Sequence, residues 1–159
     1  MRSPAAEPVG ALHDQPNPLP VLIGEGVRPY CRETLMNSLT SSEYLNPVST
    51  QFVTLELEID GEQVMRSYTI SSAPSIPYSF SITVKRVPGG RVSNWLHEYL
   101  KEGEVIAVHG PVGQFNCIDF PADKVLLLSG GVGIPPVMSM ARWFFNTNTE
   151  VDMVFAHSA

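Results

Sequence analysis

The chain has 159 residues, 43% of them hydrophobic, with a formal net charge of −6, which is the size of one ordinary domain, or one and a fraction, with enough apolar content to bury a core. An acidic balance without a basic run excludes nucleic acid and an anionic membrane surface as expected partners. Two cysteines, Cys31 and Cys117, cannot alone supply the roughly four thiolates of an iron–sulfur cluster; no window approaches a transmembrane span, and no apolar signal segment follows Arg2, so the cytoplasm is the expected compartment.

Residues 1–50 read as a proline-rich arm and an ambiguous segment. Pro4, Pro8, Pro16, Pro18, Pro20 and Pro29 leave only Leu19–Ile23 as an apolar run, interrupted by one of them. Glu33–Leu39 is compatible with a short helical turn, whereas Ser38, Thr40, Ser41, Ser42 and Asn46-Pro47 argue for a loop. Regular structure is expected from Gln51. Val53, Leu55, Leu57 and Ile59 alternate with Thr54, Glu56 and Glu58, the pattern of a half-buried strand. Asp60-Gly61 is a two-residue hairpin turn, because both positions accept a positive φ. The return strand, about Gln63–Ile70, contains Arg66-Ser-Tyr-Thr-Ile-Ser-Ser72. A third strand is expected over Tyr78–Val87, ended by Pro88-Gly89-Gly90. Ser93 then reads as an N-cap for a helix through Trp95, Leu96, Tyr99 and Leu100 that Gly103 stops. Glu104–His109 is a further strand, and Gln114–Ile118 a short one after the Gly110-Pro111-Val-Gly113 turn.

The pattern changes after Pro121. Val125–Leu128 is a short, wholly apolar strand, followed by Ser129-Gly-Gly-Val-Gly133, a helix from about Pro136 to Phe145, and a buried strand over Val151–His157. That is one βαβ unit. The expected fold is therefore mainly β: an antiparallel barrel over 51–120, incomplete at its N-terminal strands, then a truncated α/β nucleotide-binding βαβ unit over 121–159.

Three stretches carry candidate chemistry. Alternation puts Arg66, Tyr68 and Ile70 on one face of their strand and Ser67, Thr69 and Ser71 on the other. A fork-shaped cation suits phosphate oxygens, a tyrosine offers a flat face with a polar tip, and a hydroxyl both donates and accepts. These are parts for a flat, phosphate-bearing cofactor, or else an amphipathic strand with a surface arginine. Gly89-Gly90-Arg91-Val92-Ser93 leads into a helix, where open N–H groups and the helix dipole favour an anion; a plain turn and cap is the other reading. Ser129–Gly133, between strand and helix, allows close backbone approach to a nucleotide, or is a tight turn. His13, His97, His109 and His157 have no partner at ligand spacing, so no metal site is expected.

In order and spacing, the motifs Arg66–Ser72, Ile82–His97, Gly110-Pro-Val-Gly-Gln-Phe115 and Leu128-Ser-Gly-Gly-Val-Gly-Ile-Pro-Pro136 resemble the ferredoxin–NADP reductase superfamily. The likeness is greatest to NAD(P)H oxidoreductases that feed oxygenases or redox proteins, and covers about Gln51–Ala159. It implies a flavin-binding barrel and an NAD(P)-binding α/β domain. By the resemblance, Arg66 holds a flavin phosphate with Ser67 beside it in the cofactor-binding motif, Tyr68 and Thr69 are the catalytic pair, packing on the isoalloxazine and bonding near its N5, and Val84 and Lys85 line the cofactor through their backbone. Gly90, Arg91, Val92 and Ser93 hold a pyrophosphate, which implies FAD rather than FMN. Gly130, Gly131, Gly133 and Pro135 approach the nicotinamide nucleotide. The implied function is a FAD-binding electron-transfer oxidoreductase component that takes hydride from NAD(P)H to flavin N5 and passes single electrons to a redox protein or oxygenase.

Pro135 stands where the family usually has threonine, which removes a hydroxyl and an N–H, and the chain stops after one βαβ unit. The alternative is therefore a non-catalytic flavin-binding module or truncated remnant without turnover. Val125, Leu127, Val151, Met153 and Phe155 are expected to lack cover, so self-association or a partner over residues 124–159 is expected.

Overall fold

The computed structural model describes residues 19–23, 28–31, 34–41, 51–75 and 79–158, with side chains from residue 51 onward. In chain order the elements are β1 (Leu19–Ile23), β2 (Arg28–Cys31), β3 (Thr34–Ser41), β4 (Phe52–Ile59), β5 (Glu62–Thr69), β6 (Ser79–Lys85), α1 (Arg91–Glu98), β7 (Val105–Val112), β8 (Lys124–Gly130), α2 (Ile134–Asn146) and β9 (Asp152–Ser158). Pro4, Pro8, Pro16, Pro18, His13 and the Asn46-Pro47 turn lie outside the described residues.

The alternation of Val53, Leu55, Leu57 and Ile59 does what period two requires, and all four are buried in β4. Asp60 and Gly61 take φ of 56° and 76°, the left-handed pair that joins two right-twisted strands. β4 and β5 then pair antiparallel from Phe52↔Thr69 to Ile59↔Glu62. Seven antiparallel strands form one sheet in the order β2-β3-β1-β7-β4-β5, with β6 on the remaining side of β3. The sheet closes on itself where Ile70 bridges Ile82 and the Ser71 N–H donates to the Ser81 carbonyl at 2.7 Å. Val53, Leu55, Ile70, Phe80, Ile82, Val84 and Val108 fill the interior, and Val92, Leu96 and Leu100 add α1 and its exit to that core.

The reading of residues 19–41 as arm, helical turn and loop is corrected: they supply three strands of this sheet. The prolines are accommodated by position. Pro29 lies in β2, an edge strand that pairs with β3 alone. Pro20 opposes Ala107 of β7, but the β1–β3 ladder begins only at Val21, so its missing N–H interrupts no ladder with β3.

Other boundaries also move. The helix ends at Glu98, ahead of Gly103. β7 runs on to Val112, and Gln114–Ile118 is not a strand. There the Asn116 Oδ1 accepts the N–H groups of Ile118 (2.9 Å) and Asp119 (2.8 Å), which turns the chain. β8 and β9 pair in parallel, Lys124↔Asp152 to Gly130↔Ser158. Leu127 packs with Val137, Met140 and Phe144 of α2 in a second core, with Val125 and Val151 against it. The expected lack of cover holds for Met153 and Phe155, each 38% exposed, and fails for the buried Leu127 and the half-buried Val125 and Val151. On the sheet face turned from α2, Leu126 (61% exposed), Leu128 (65%) and Val154 (57%) are barer still.

Candidate functional site

The β5–β6 seam is the place where the barrel wall is not fully zipped. Beyond the Ile70–Ile82 bridge, no ladder joins Glu62–Thr69 to Thr83–Lys85. The consequence shows in β5. Arg66 is in register with Leu55, which is wholly buried, and Tyr68 with Val53, so both lie on the face of β5 that looks toward the core. Yet Arg66 is exposed and Tyr68 only half-buried. A core-side face left open to solvent is a slot. Val84 and Lys85 form its other lip at the end of β6, Val84 buried and Lys85 exposed, with His97 Nε2 3.1 Å from the Val84 carbonyl.

Arg66 Nη1 donates to its neighbour's Met65 carbonyl at 3.0 Å, and the side chain is exposed, which leaves the rest of its fork accessible to a ligand. Burial pushes the Tyr68 hydroxyl above its ordinary value, and the Arg66 charge pulls the other way, so the two groups share one electrostatic environment. Ser67 and Thr69 lie on the outer face by alternation, and the Ser67 hydroxyl is 2.8 Å from that of Thr54. Arg66 and Tyr68 thus share the core-side face of β5, Val84 and Lys85 alternate at the end of β6 beyond the Ile70–Ile82 bridge, Thr69 ends its strand and Ser67 is turned away.

At the start of α1, Gly90 is the N-cap and no side chain caps the helix. Ser93 is corrected from N-cap to third helical residue. Its Oγ accepts the Val87 N–H at 3.1 Å and so closes the β6–α1 loop instead. A Cβ on Gly90 would come within 2.6 Å of that Oγ and 3.1 Å of the Val87 carbonyl, so only glycine fits. Val92 is buried in the barrel core. The Arg91 guanidinium is taken by Glu62 (2.6 Å) and the Ile59 carbonyl (2.7 Å), beside a cleft of about 350 Å³ between the β4–β5 hairpin and α1. Glu62 lies four residues from Arg66, roughly 13 Å along β5. What Arg91, Val92 and Ser93 can offer an anion is therefore their first-turn N–H groups, which have no partner within the helix.

The second glycine cluster lies at the carboxyl ends of β8 and β9. Gly131–Gly133 makes a 3-10 turn into α2, with Pro135 and Pro136 in the helix's first turn. Proline is tolerated there because those N–H groups are orphans, but each removes a donor an anion would use. Gly130 and Gly133 have ordinary φ of −139° and −79°, and a Cβ on Gly133 would meet nothing within 4 Å. The fold itself does not demand glycine at Gly133; close approach of a ligand backbone or ring would. Ligands bind outside the carboxyl ends of parallel strands in such units. The Ser129 Oγ and His157 Nδ1 lie 2.8 Å apart at the same strand ends.

Residues 33–117 match the family described as "Oxidoreductase FAD-binding domain". The chain belongs to that family. The match begins at the start of β3 and covers the slot and α1, so the resemblance read from the motifs holds and extends N-terminal to Gln51. Among curated relatives, the "Glycine betaine monooxygenase reductase subunit" of Pseudomonas aeruginosa (strain UCBPP-PA14) is 84% identical over 109 residues, 69% of this chain and 30% of that protein. The "Stachydrine N-demethylase reductase subunit Stc4" of Rhizobium meliloti (strain 1021) is 44% identical over 109 residues, 69% of this chain and 31% of that one. Among solved structures, Amycolatopsis cytochrome P450 reductase GcoB superposes with a TM-score of 0.78 at 26% identity, over 90% of this chain and 44% of that one. The chain thus spans about a third of the length of these curated relatives.

For a family named for FAD, the donor set fits. A cationic fork and a half-buried phenol line an apolar-backed slot, and a helix with an open N-terminus and no acid in its first turn stands beyond the opposite lip. Sequence reasoning missed the polar side chains that hold this site's surroundings. Ser71 and Thr83 lie inside the motifs read from the sequence but without this role, and Ser139 and Arg142 lie in none; their advance signal is a serine and an arginine three apart on a largely apolar helix. Among the described residues no three His, Cys, Asp or Glu side chains converge as a metal site, and no helix is long and apolar enough to cross a membrane.

Proposed function

We propose that this chain is the flavin-binding portion of an electron-transfer oxidoreductase, with a barrel domain ending near residue 120 and the start of an NAD(P)-binding unit over 121–159. The observation that carries the reading is the exposed Arg66 and half-buried Tyr68 on the core-side face of β5, within the stretch that matches a FAD-binding family. Bound FAD supplies acceptance of a hydride and its release as single electrons.

The chain's own residues do the rest. Arg66 pairs with a phosphate of the cofactor, and Tyr68 gives its ring one apolar wall. Thr69 offers a hydroxyl that can donate or accept at the strand end. Val84 and Lys85 bound the slot opposite. The first-turn N–H groups of α1 bind the pyrophosphate, with Gly90 kept small so that the loop closes on Ser93. The Gly130–Gly133 turn admits the nicotinamide nucleotide, NADH or NADPH, as donor. The relatives' names support a redox protein or oxygenase as acceptor. The bare face of β8–β9 supports self-association through residues 124–159.

Titration of the purified protein with FAD, followed in the visible spectrum, tests the core of this reading. Uptake with a structured flavin band is expected, and Arg66→Ala should weaken it by about 1.5–3 kcal/mol, the range for hydrogen bonds to charged groups. A protein that takes up no FAD would overturn the proposal.

A further inference from the structure

Helix α2 begins where the glycine turn ends, and it is held between two surfaces. Val137, Met140 and Phe144 face the β8–β9 sheet in the second core. Ser139, Arg142 and Asn146, spaced three and four apart, share the opposite side. The Ser139 Oγ donates to the Ser72 carbonyl at 2.6 Å, Arg142 Nη1 to the Ser71 carbonyl at 2.7 Å, and Asn146 Nδ2 to the Ser75 Oγ at 2.8 Å. Ser71 and Ser72 directly continue the strand that carries Arg66, Tyr68 and Thr69.

The same segment is gripped from the other side. The Ser71 N–H donates to the Ser81 carbonyl (2.7 Å), the Ser81 N–H to the Ser72 Oγ (3.0 Å), and the Thr83 hydroxyl to the Ser71 Oγ (3.0 Å). Ser71, Ala73 and Ser139 are all buried, Ser139 completely. The Ser71 and Ser72 carbonyls thus point to α2, and the Ser71 amide and both hydroxyls to β6. Apolar contact alone would let the helix slide over the barrel. Directional bonds to two successive carbonyls define both the distance and the angle. An arginine spent on a neutral backbone carbonyl, with no carboxylate bonded to it among the described residues, makes sense as such a spacer.

We infer that Ser139 and Arg142 are positioning residues that set the nicotinamide-side glycine turn against the flavin-side strand β5. The linkage is short. Gly133 to Ser139 is roughly 9 Å of helix, and Thr69 to Ser71 is roughly 7 Å of extended chain. The two sites proposed for donor and acceptor rings are therefore joined through one part-buried pair of hydrogen bonds rather than through a flexible linker. The inference rests on the flavin reading for what is positioned, but the clamp itself can be measured without cofactor.

The test compares wild type, Ser139→Ala, Arg142→Ala and Arg142→Lys. Amide hydrogen exchange is measured at Ile70 and Ser71, whose N–H groups bond Gln51 and Ser81 across the barrel. Each alanine variant is expected to speed exchange there by about fivefold to tenfold, the worth of one hydrogen bond, with the interior amides of β4 unchanged. Arg142→Lys, which keeps a cationic donor for the Ser71 carbonyl, should restore most of the protection. With FAD bound, visible circular dichroism of the flavin should change in the alanine variants while the FAD dissociation constant stays within about threefold. Unchanged exchange at both amides, or faster exchange throughout β4, would overturn the clamp. Altered exchange with an unchanged flavin dichroism would overturn its positioning role. If wild type takes up no FAD, the flavin reading falls and the exchange result alone decides the clamp.

Discussion

Tyr68 shows how a single side chain can be placed on a core-side face and still be half open. Its burial raises the phenol's pKa, with Arg66 opposing. Because the folded value lies above the unfolded one, near 10, the folded state holds the proton longer, and stability falls as pH rises through that window. Below a pH of about 10 the residue adds no pH dependence. Urea denaturation across alkaline pH should show the slope, and Tyr68→Phe should flatten it. The glycines divide by the same kind of local reasoning. Gly90→Ala forces a Cβ against the Ser93 Oγ and the Val87 carbonyl, and should cost about 1–3 kcal/mol in thermal denaturation. Gly133→Ala meets open space and should shift stability by less than about 0.5 kcal/mol. Calorimetry with NADH or NADPH should nevertheless show weaker binding, since the new methyl occupies the approach to the turn.

Elements here are held by bonds that cross between them. Arg91 ties the first turn of α1 to Glu62 and the Ile59 carbonyl, with the Asp60 carboxylate 4.0 Å away. Arg86 reaches α1 from the end of β6 through Asn94 (2.6 Å) and Glu98. Both arginines are substantially exposed, so each pair is worth little alone, and their combined effect is to orient α1 across the barrel mouth. Arg91→Ala should therefore cost about 1 kcal/mol or less in urea denaturation. It should change FAD affinity by less than about threefold, in contrast to Arg66→Ala. A fall as large as that of Arg66→Ala would move the phosphate site to the hairpin side of α1. On the outer wall, His109 Nε2 bonds Glu56 at 2.8 Å and Gln63 bonds the same carboxylate at 3.2 Å, a cross-strand chain over β7, β4 and β5.

At the scale of the whole molecule there are two cores with α2 between the second of them and the barrel. The barrel covers its own apolar face by closing. The β8–β9 pair has α2 on one face and leaves Leu126, Leu128 and Val154 bare on the other, beside the open edge of β9. At about 25 cal/mol per Å², covering such a patch is worth several kcal/mol, so association is the expected response. Light scattering over a concentration series should show it. Leu126→Ser with Leu128→Ser should shift the molecule toward monomer with little loss of thermal stability, because neither side chain belongs to a core. A strict monomer in the wild type would show that the face is left wet.

The hairpin at Asp60-Gly61, the buried row of β4, the βαβ unit and the flavin-type motifs could all be read in advance. Each depends on residues a few positions apart: alternation, turn chemistry, and glycines between strand and helix. Strands β1 to β3 could not, because their pairing partners are distant in the chain, as in Leu19↔Val108 and Thr34↔Lys85. Long-range ladders override the local preferences of prolines and serines. The same reason hid the site's finer geometry. That Arg66 stands opposite a wholly buried Leu55 yet is exposed follows only from where the β5–β6 seam opens. That Arg91 is spent on a hairpin, Ser93 on a loop amide and Arg142 on a carbonyl 71 residues away follows only from which surfaces meet. The order of neighbours along the chain determined the fold's local parts and the family's motifs. Tertiary closure decided which of those side chains remain open to a ligand, because a donor's partner is chosen by proximity in space.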